Sequence, residues 1–215
     1  MNDAAGSLAA LGLLANRELV AVSRLAADAA VAPDLAARLE LARLAGVAAL
    51  RLAALGDRAT ALGADLATVV APFLDTYADA DARTPAGTWW ERLVKAYVAN
   101  GVADDLARLL AGRADAETGA AMTAALDDDG HEAFVVARLS AAITGDPVLA
   151  SRLALWGRRV VGEALGVVQR VMADHADVRA LVEAAVPGDG ELQQRVFGAL
   201  TAEHTRRMDR LGLTA

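Results

Sequence analysis

The five prolines of this 215-residue chain fall where they divide it into long uninterrupted segments. A proline cannot continue an interior helix but suits the first turn of the next one. Ala32-Pro33 and Asp146-Pro147 therefore read as junctions between helices, Pro72 and Pro85 as breaks within one stretch, and Pro187-Gly188-Asp189-Gly190 as a turn. The spacing predicts helices over 7–31, 33–62, 89–112, 115–144, 147–175 and 191–211, with a short helix over 178–185. Residues 65–87 should form short helical pieces in a long connection. Thr88-Trp89-Trp90-Glu91 has the pattern of a capping box, which starts the third long helix sharply. Gly119 and Gly130 are expected to weaken or bend the fourth. Alanine makes up roughly a quarter of the chain and favours closely packed helices, so the fold class is all-α. At 55% hydrophobic, with no shift of composition along its length, the chain reads as a single domain over 1–215.

Composition also excludes some chemistry. With no cysteine there is neither a disulfide framework nor a thiolate metal site nor a cysteine nucleophile. A net charge of −7 weighs against a generally basic nucleic-acid-binding surface. The apolar run from Leu8 to Ala15 ends at Asn16-Arg17-Glu18 without a basic leader or cleavage signal. No uncharged stretch approaches the roughly 18 residues that span a bilayer. The expectation is a cytoplasmic protein with no membrane partner.

The informative polar residues are those on apolar helix faces. At about 100° per residue, Asp128 and His131 share a stripe with Ala121, Ala124, Val135, Leu139 and Ala142. Asp105 falls on the stripe of Val94, Val98, Gly101 and Leu109, and Glu18 interrupts Leu11, Leu14, Val22 and Leu25. Asp104 lies to one side, where Arg108 at i+4 would make a surface ion pair. On the second helix the series Leu41, Leu44, Leu55, Leu62 passes through Ala48 and Arg51. A carboxylate on one helix, followed by carboxylate-x-x-His on the next, and the same again, is the order in which a four-helix bundle holds two irons. Here Glu18, Asp105, Asp128 and His131 supply candidate metal ligands, and Ala48/Arg51 stand where the second pair would be. The offsets from Glu18 to Ala48 and Arg51 are 30 and 33 residues, against 23 and 26 from Asp105 to Asp128 and His131.

Several runs carry a family resemblance: Glu18-Leu19 followed by Arg24-Leu25-Ala26, Leu93-Val94-Lys95-Ala96-Tyr97-Val98, Asp128-x-Gly130-His131, Leu155 to Leu165, and Glu203-His204-Thr205-Arg206-Arg207-Met208. Through them the chain resembles the ferritin-like tRNA hydroxylases of MiaE type, in a shorter actinobacterial-style branch. The resemblance implies a ferritin-like four-helix bundle with a long crossover and additional C-terminal helices. It implies a di-iron centre that activates oxygen and a hydroxylase acting on an isopentenyl-type adenosine in tRNA, so that tRNA enters as a partner by resemblance alone. Carried over by position, Glu18, Asp105, and Asp128 with His131 would be ligands. Where the family has Glu-x-x-His, this chain has Ala48 and Arg51, and Asp stands for Glu at two positions.

Three states of the site follow from those substitutions. Two irons need more ligands than remain. One His with two acids suits a single or weakly held iron. Inward carboxylates lacking a cation carry a desolvation penalty, and Arg51 on the same face is able to replace the metal as counter-charge to Glu18, Asp105 or Asp128, leaving no cofactor. The leading expectation is a bundle with reduced or lost di-iron chemistry, acting as a homodimer or as partner of a homologue; the alternative is an active non-haem iron hydroxylase. His204 reads as a buried structural residue between Phe197, Leu200, Met208 and Leu211. Arg158, Arg159 and Glu163 form either an ion network between the last two long helices or, with Arg206 and Arg207, a polyanion-binding face.

Overall fold

The computed structural model describes residues 3–127 and 130–215. Every regular element among them is helical: α1 (Asp3–Ala30), α2 (Leu35–Ala61), α3 (Leu66–Val70), a 3-10 turn (Ala71–Phe73), α4 (Ala78–Arg83), α5 (Trp89–Ala111), α6 (Ala116–Ala125), α7 (His131–Ile143), α8 (Pro147–Asp174), α9 (Ala176–Ala185) and α10 (Leu192–Arg210). Boundaries follow local chemistry. Asp34 caps α2 by accepting from the Ala37 amide, Pro147 opens α8, and the Thr88/Glu91 capping box at α5 forms in both directions.

One expected helix does not form as a single rod. The segment predicted over 115–144 is α6 and α7, with the chain leaving α6 at Leu126 and Gly130 adopting a left-handed φ of +89° immediately before His131. Asp127, a poor helix former, and Gly130, which enters the left-handed region at little cost, mark the break on either side. Helical phase therefore does not carry across it, and the stripe linking Ala121 and Ala124 to His131 is lost.

The main pairings are α1 with α2 and α5 with α8, while α6 and α7 cross between them. Residues 66–83 form the connection from one pair to the other. Three cores result. The largest joins Leu11, Leu14, Val102, Leu110, Val168 and Leu181; a second joins Leu93, Val98, Val135, Leu139, Leu153 and Met208; the third, under the α1–α2 hairpin, has Ala21, Leu25, Ala29, Leu41, Leu44 and Ala48. Alanine occupies half of the buried positions in the third, and a polar cavity opens beside Ala48. By length and composition α1 alone among the described helices could cross a bilayer, but more than half of that stretch is buried by the other helices.

Candidate functional site

The cavity has a volume of about 390 Å³ and is walled by α1, α2, α5, α7, α10 and the loop after α6. Its lining is charged on both signs: Arg17, Arg51, Arg108, Arg207 and Arg210 face Asp104, Asp105, Asp127, Glu132 and Glu203. His131, the first residue of α7, also lines it, as does Ala48. Asp128 lies outside the described residues.

Glu18 is fully buried, and its Oε1 accepts from Arg17 Nη1 at 2.6 Å. Arg17 reaches Asp104 through its other terminal nitrogen at 2.8 Å, which ties α1 to α5. Asp104 is thus part of an interhelical pair rather than a surface partner of Arg108. Arg108 instead approaches Asp105 at 3.4 Å. The principal cation on Asp105 is Arg207, whose Nη2 donates to the carboxylate and, at 3.0 Å, to the Gly101 carbonyl. Gly101 is what admits this side chain: a Cβ there would lie 2.2 Å from Arg207 Nε. Arg210 completes the rim, 2.7 Å from Glu132 and donating to the Tyr97 hydroxyl at 3.3 Å.

Burial pushes the Glu18 carboxyl above its ordinary range, and the charges of Arg17 and Arg51 pull it part of the way back. Burial likewise raises Asp105 against the hydrogen bond and charge of Arg207. Both acids are therefore expensive to ionise, and each has a guanidinium held against it. Arg51 bears on Glu18 only through space; its guanidinium donates to the Asp127 carbonyl in the loop before α7. The direct counter-cations of Glu18 and Asp105 are Arg17 and Arg207.

That donor set can be compared with the two irons of the fold family. A bridging centre needs carboxylate lone pairs from several helices to converge with two imidazoles. Glu18 and Asp105 each commit an oxygen to a guanidinium, and no group of three or more His, Asp or Glu among the described residues is placed to hold a metal ion. The described residues do not fit a di-iron centre.

The sequence signals missed Arg17 and Arg207. Arg17 is one residue from Glu18, about 100° around the helix, so a face-by-face reading sends the two apart. Arg207 lies seven residues after Leu200 and three after His204, on the buried stripe of α10, and the unexplained Gly101 in mid-helix was the complementary signal. The other basic residues divide differently than expected. Glu163 pairs with Arg83 at 2.7 Å, and Arg159 donates to the Arg83 carbonyl at 2.5 Å, so both tie α8 to α4 rather than to α10. Arg206 pairs with Glu203 on its own helix, and Arg207 is buried against Asp105. His204 is buried on α10, and among the described residues neither of its ring nitrogens has a hydrogen-bond partner.

A comparison with curated proteins finds no match. The family model described as the ferritin-like domain of actinomycetes matches residues 3–185, which covers α1 to α9 and leaves α10 outside the matched span. Most of the chain, and the helices that carry Glu18, Asp105 and His131, lie within that match, so the protein belongs to the actinomycete ferritin-like domain family.

Proposed function

We propose that the protein is a ferritin-like bundle without oxygen-activating iron chemistry, in which arginine side chains take the part of the metal as counter-charge to the inward carboxylates. The single observation that supports this most is the pairing of buried Glu18 with Arg17 and of Asp105 with the buried Arg207. A guanidinium and a cation bound to the same oxygens compete, and a tethered guanidinium with carbonyl and carboxylate partners is difficult to displace. Ala48 and Arg51 add to the argument, since neither supplies the carboxylate or imidazole that the resemblance to tRNA hydroxylases requires of α2.

The second reading is an iron-dependent hydroxylase acting on a tRNA nucleoside or a small molecule, holding one iron weakly. It is favoured by the position of His131 in the wall of a 390 Å³ cavity near Asp105. Against tRNA as a partner stand the net charge of −7 and the internal pairing of Arg159, Arg206 and Arg207.

Anaerobic loading with Fe(II), followed by desalting, elemental analysis and oxygen uptake, separates the two. The expected result is substoichiometric iron and no oxygen consumption above free Fe(II). One or two irons retained per chain, with protein-dependent oxygen uptake, would establish the second reading in its place. Retardation of tRNA at low salt would independently restore tRNA as a partner.

A further inference from the structure

Helix α2 carries an uncharged face that the bundle leaves uncovered. Its buried residues, Ala37, Leu41, Leu44, Ala48, Leu55 and Ala59, all point toward α1 and α6. Directly opposite, at helical spacing, lie Leu35, Leu39, Ala42, Gly46, Leu50 and Ala53, all exposed. The three leucines are 69%, 62% and 73% exposed. Over this length no charged residue enters the stripe, although the chain is 23% charged overall. Arg38 and Arg43 flank it on either side, and Arg43 pairs backwards with Glu40, which leaves the stripe itself clear.

We propose that this face of α2 is the contact through which two copies of the chain form a symmetric dimer. The stripe is self-complementary, as a two-fold contact requires. An antiparallel pairing of two α2 helices, centred between positions 42 and 43, sets Leu39 over Gly46 of the second copy and Leu35 beside its Leu50. Leucines thus meet small residues near the axis, where glycine and alanine let the helices approach closely, and meet each other at the ends. From Leu35 to Leu50, the stretch over which the two helices overlap in this register, the helix rises about 22 Å, and a helix is about 10 Å wide, so each copy contributes about 220 Å² in projection before side-chain corrugation and the flanking Arg38 and Arg43 stems are counted. Two such faces together stay below the roughly 1,000 Å² of a standard specific interface, in the range of weak, transient contacts. The dimer is accordingly expected to be reversible in the micromolar range rather than obligate. The proposal is independent of the state of the iron site.

Sedimentation equilibrium of the full chain across roughly 1 to 200 μM tests it. The expected result is a concentration-dependent mass rising from 22.1 kDa toward twice that value. Leu39→Glu with Leu50→Glu places like charges across the axis in an apolar contact and should weaken association by about 100-fold or more. Both positions are exposed, so the variant should keep its helical circular dichroism and melting temperature. Because the chain has no cysteine, Ala42→Cys supplies a second readout: near the axis it should form a covalent dimer under mild oxidation. A wild-type chain that stays at 22.1 kDa throughout would overturn the proposal, as would a Leu39→Glu/Leu50→Glu variant that dimerises as strongly as wild type. Binding of the monomer to lipid vesicles, or to another protein, without self-association would do the same and assign the face to that partner.

Discussion

Replacing Arg207 tests whether the arginines carry the site. In the folded chain its side chain is 7% exposed and holds Asp105, itself only 11% exposed. Arg207→Ala leaves a buried carboxylate with Arg108 at 3.4 Å as its nearest remaining cation, and removes a donor from the Gly101 carbonyl. Breaking a buried pair from one side typically costs about 3–5 kcal/mol. The cavity beside Asp105 admits water to the orphaned acid, which puts the expected loss near the lower end, about 3 kcal/mol, a large fraction of the stability of a domain. Asp105→Asn in the same background removes the charge that needed compensation, so the double variant should recover much of that loss, with a coupling of about 1.5–3 kcal/mol. The sign with pH is fixed. Burial already raises the Asp105 carboxyl, and loss of Arg207 raises it further, so protonation relieves the penalty as pH falls. The coupling measured by urea unfolding, followed by circular dichroism, should therefore be larger at pH 8 than at pH 5. Arg207 also bears on His204, but that contribution is common to both arms of the cycle and cancels. Additive effects of the two substitutions, or a coupling that grows as pH falls, would refute the reasoning.

Three further outcomes follow from neighbouring contacts. Burial and the charge of Arg207 push the His204 imidazole down to about 4, so the unfolded chain binds a proton below about pH 6.5 that the folded chain refuses; roughly 2 kcal/mol of stability should be lost between pH 7 and pH 5, and His204→Leu should abolish that loss in pH-dependent urea unfolding. Gly101→Ala should destabilise by about 1–2 kcal/mol despite the better helix propensity of alanine, because its Cβ displaces Arg207; in an Arg207→Ala background the same change should turn stabilising by about 0.5–1 kcal/mol, as read from thermal melts. Ala48→Glu with Arg51→His introduces a Glu-x-x-His pair on α2, and elemental analysis after Fe(II) loading should show uptake only when Arg207→Ala also frees Asp105.

How far the sequence reached depends on what each signal encodes. Proline positions and the Thr88/Glu91 box act through local backbone chemistry, and the helices they bound form within a few residues of expectation. The segment over 115–144 failed because a continuous apolar period was carried across a break; Val135 and Leu139 of α7 are buried as expected, but on α6 Ala124 is exposed and Met122 and Ala125 are buried in its place. Burial of Glu18 and near-burial of Asp105 were legible from period alone. Their partners were not, because a helical wheel reports which way a Cβ points and says nothing of where six further atoms of an arginine go. Arg17 starts about 100° from Glu18, yet its side chain returns to the same carboxylate.

The departure at α2 and the contribution of α10 belong to one electrostatic problem. Two buried acids remain on α1 and α5, and a fold that does not neutralise them with metal must do so with side chains or lose stability as they ionise. Arg51, the cation that sequence position offers on α2, extends to the loop carbonyl of Asp127 and acts on Glu18 only at a distance. The cation for Asp105 comes from α10, which lies outside the matched family span, and its path is cleared by a glycine in the middle of α5. If α10 were an appendage, neither a buried arginine in its last turn nor a glycine opposite it would serve any purpose. Their fit makes the C-terminal helix a structural part of the site, so removal of residues 186–215 should not yield a smaller ferritin-like domain but one with an uncompensated carboxylate at its centre.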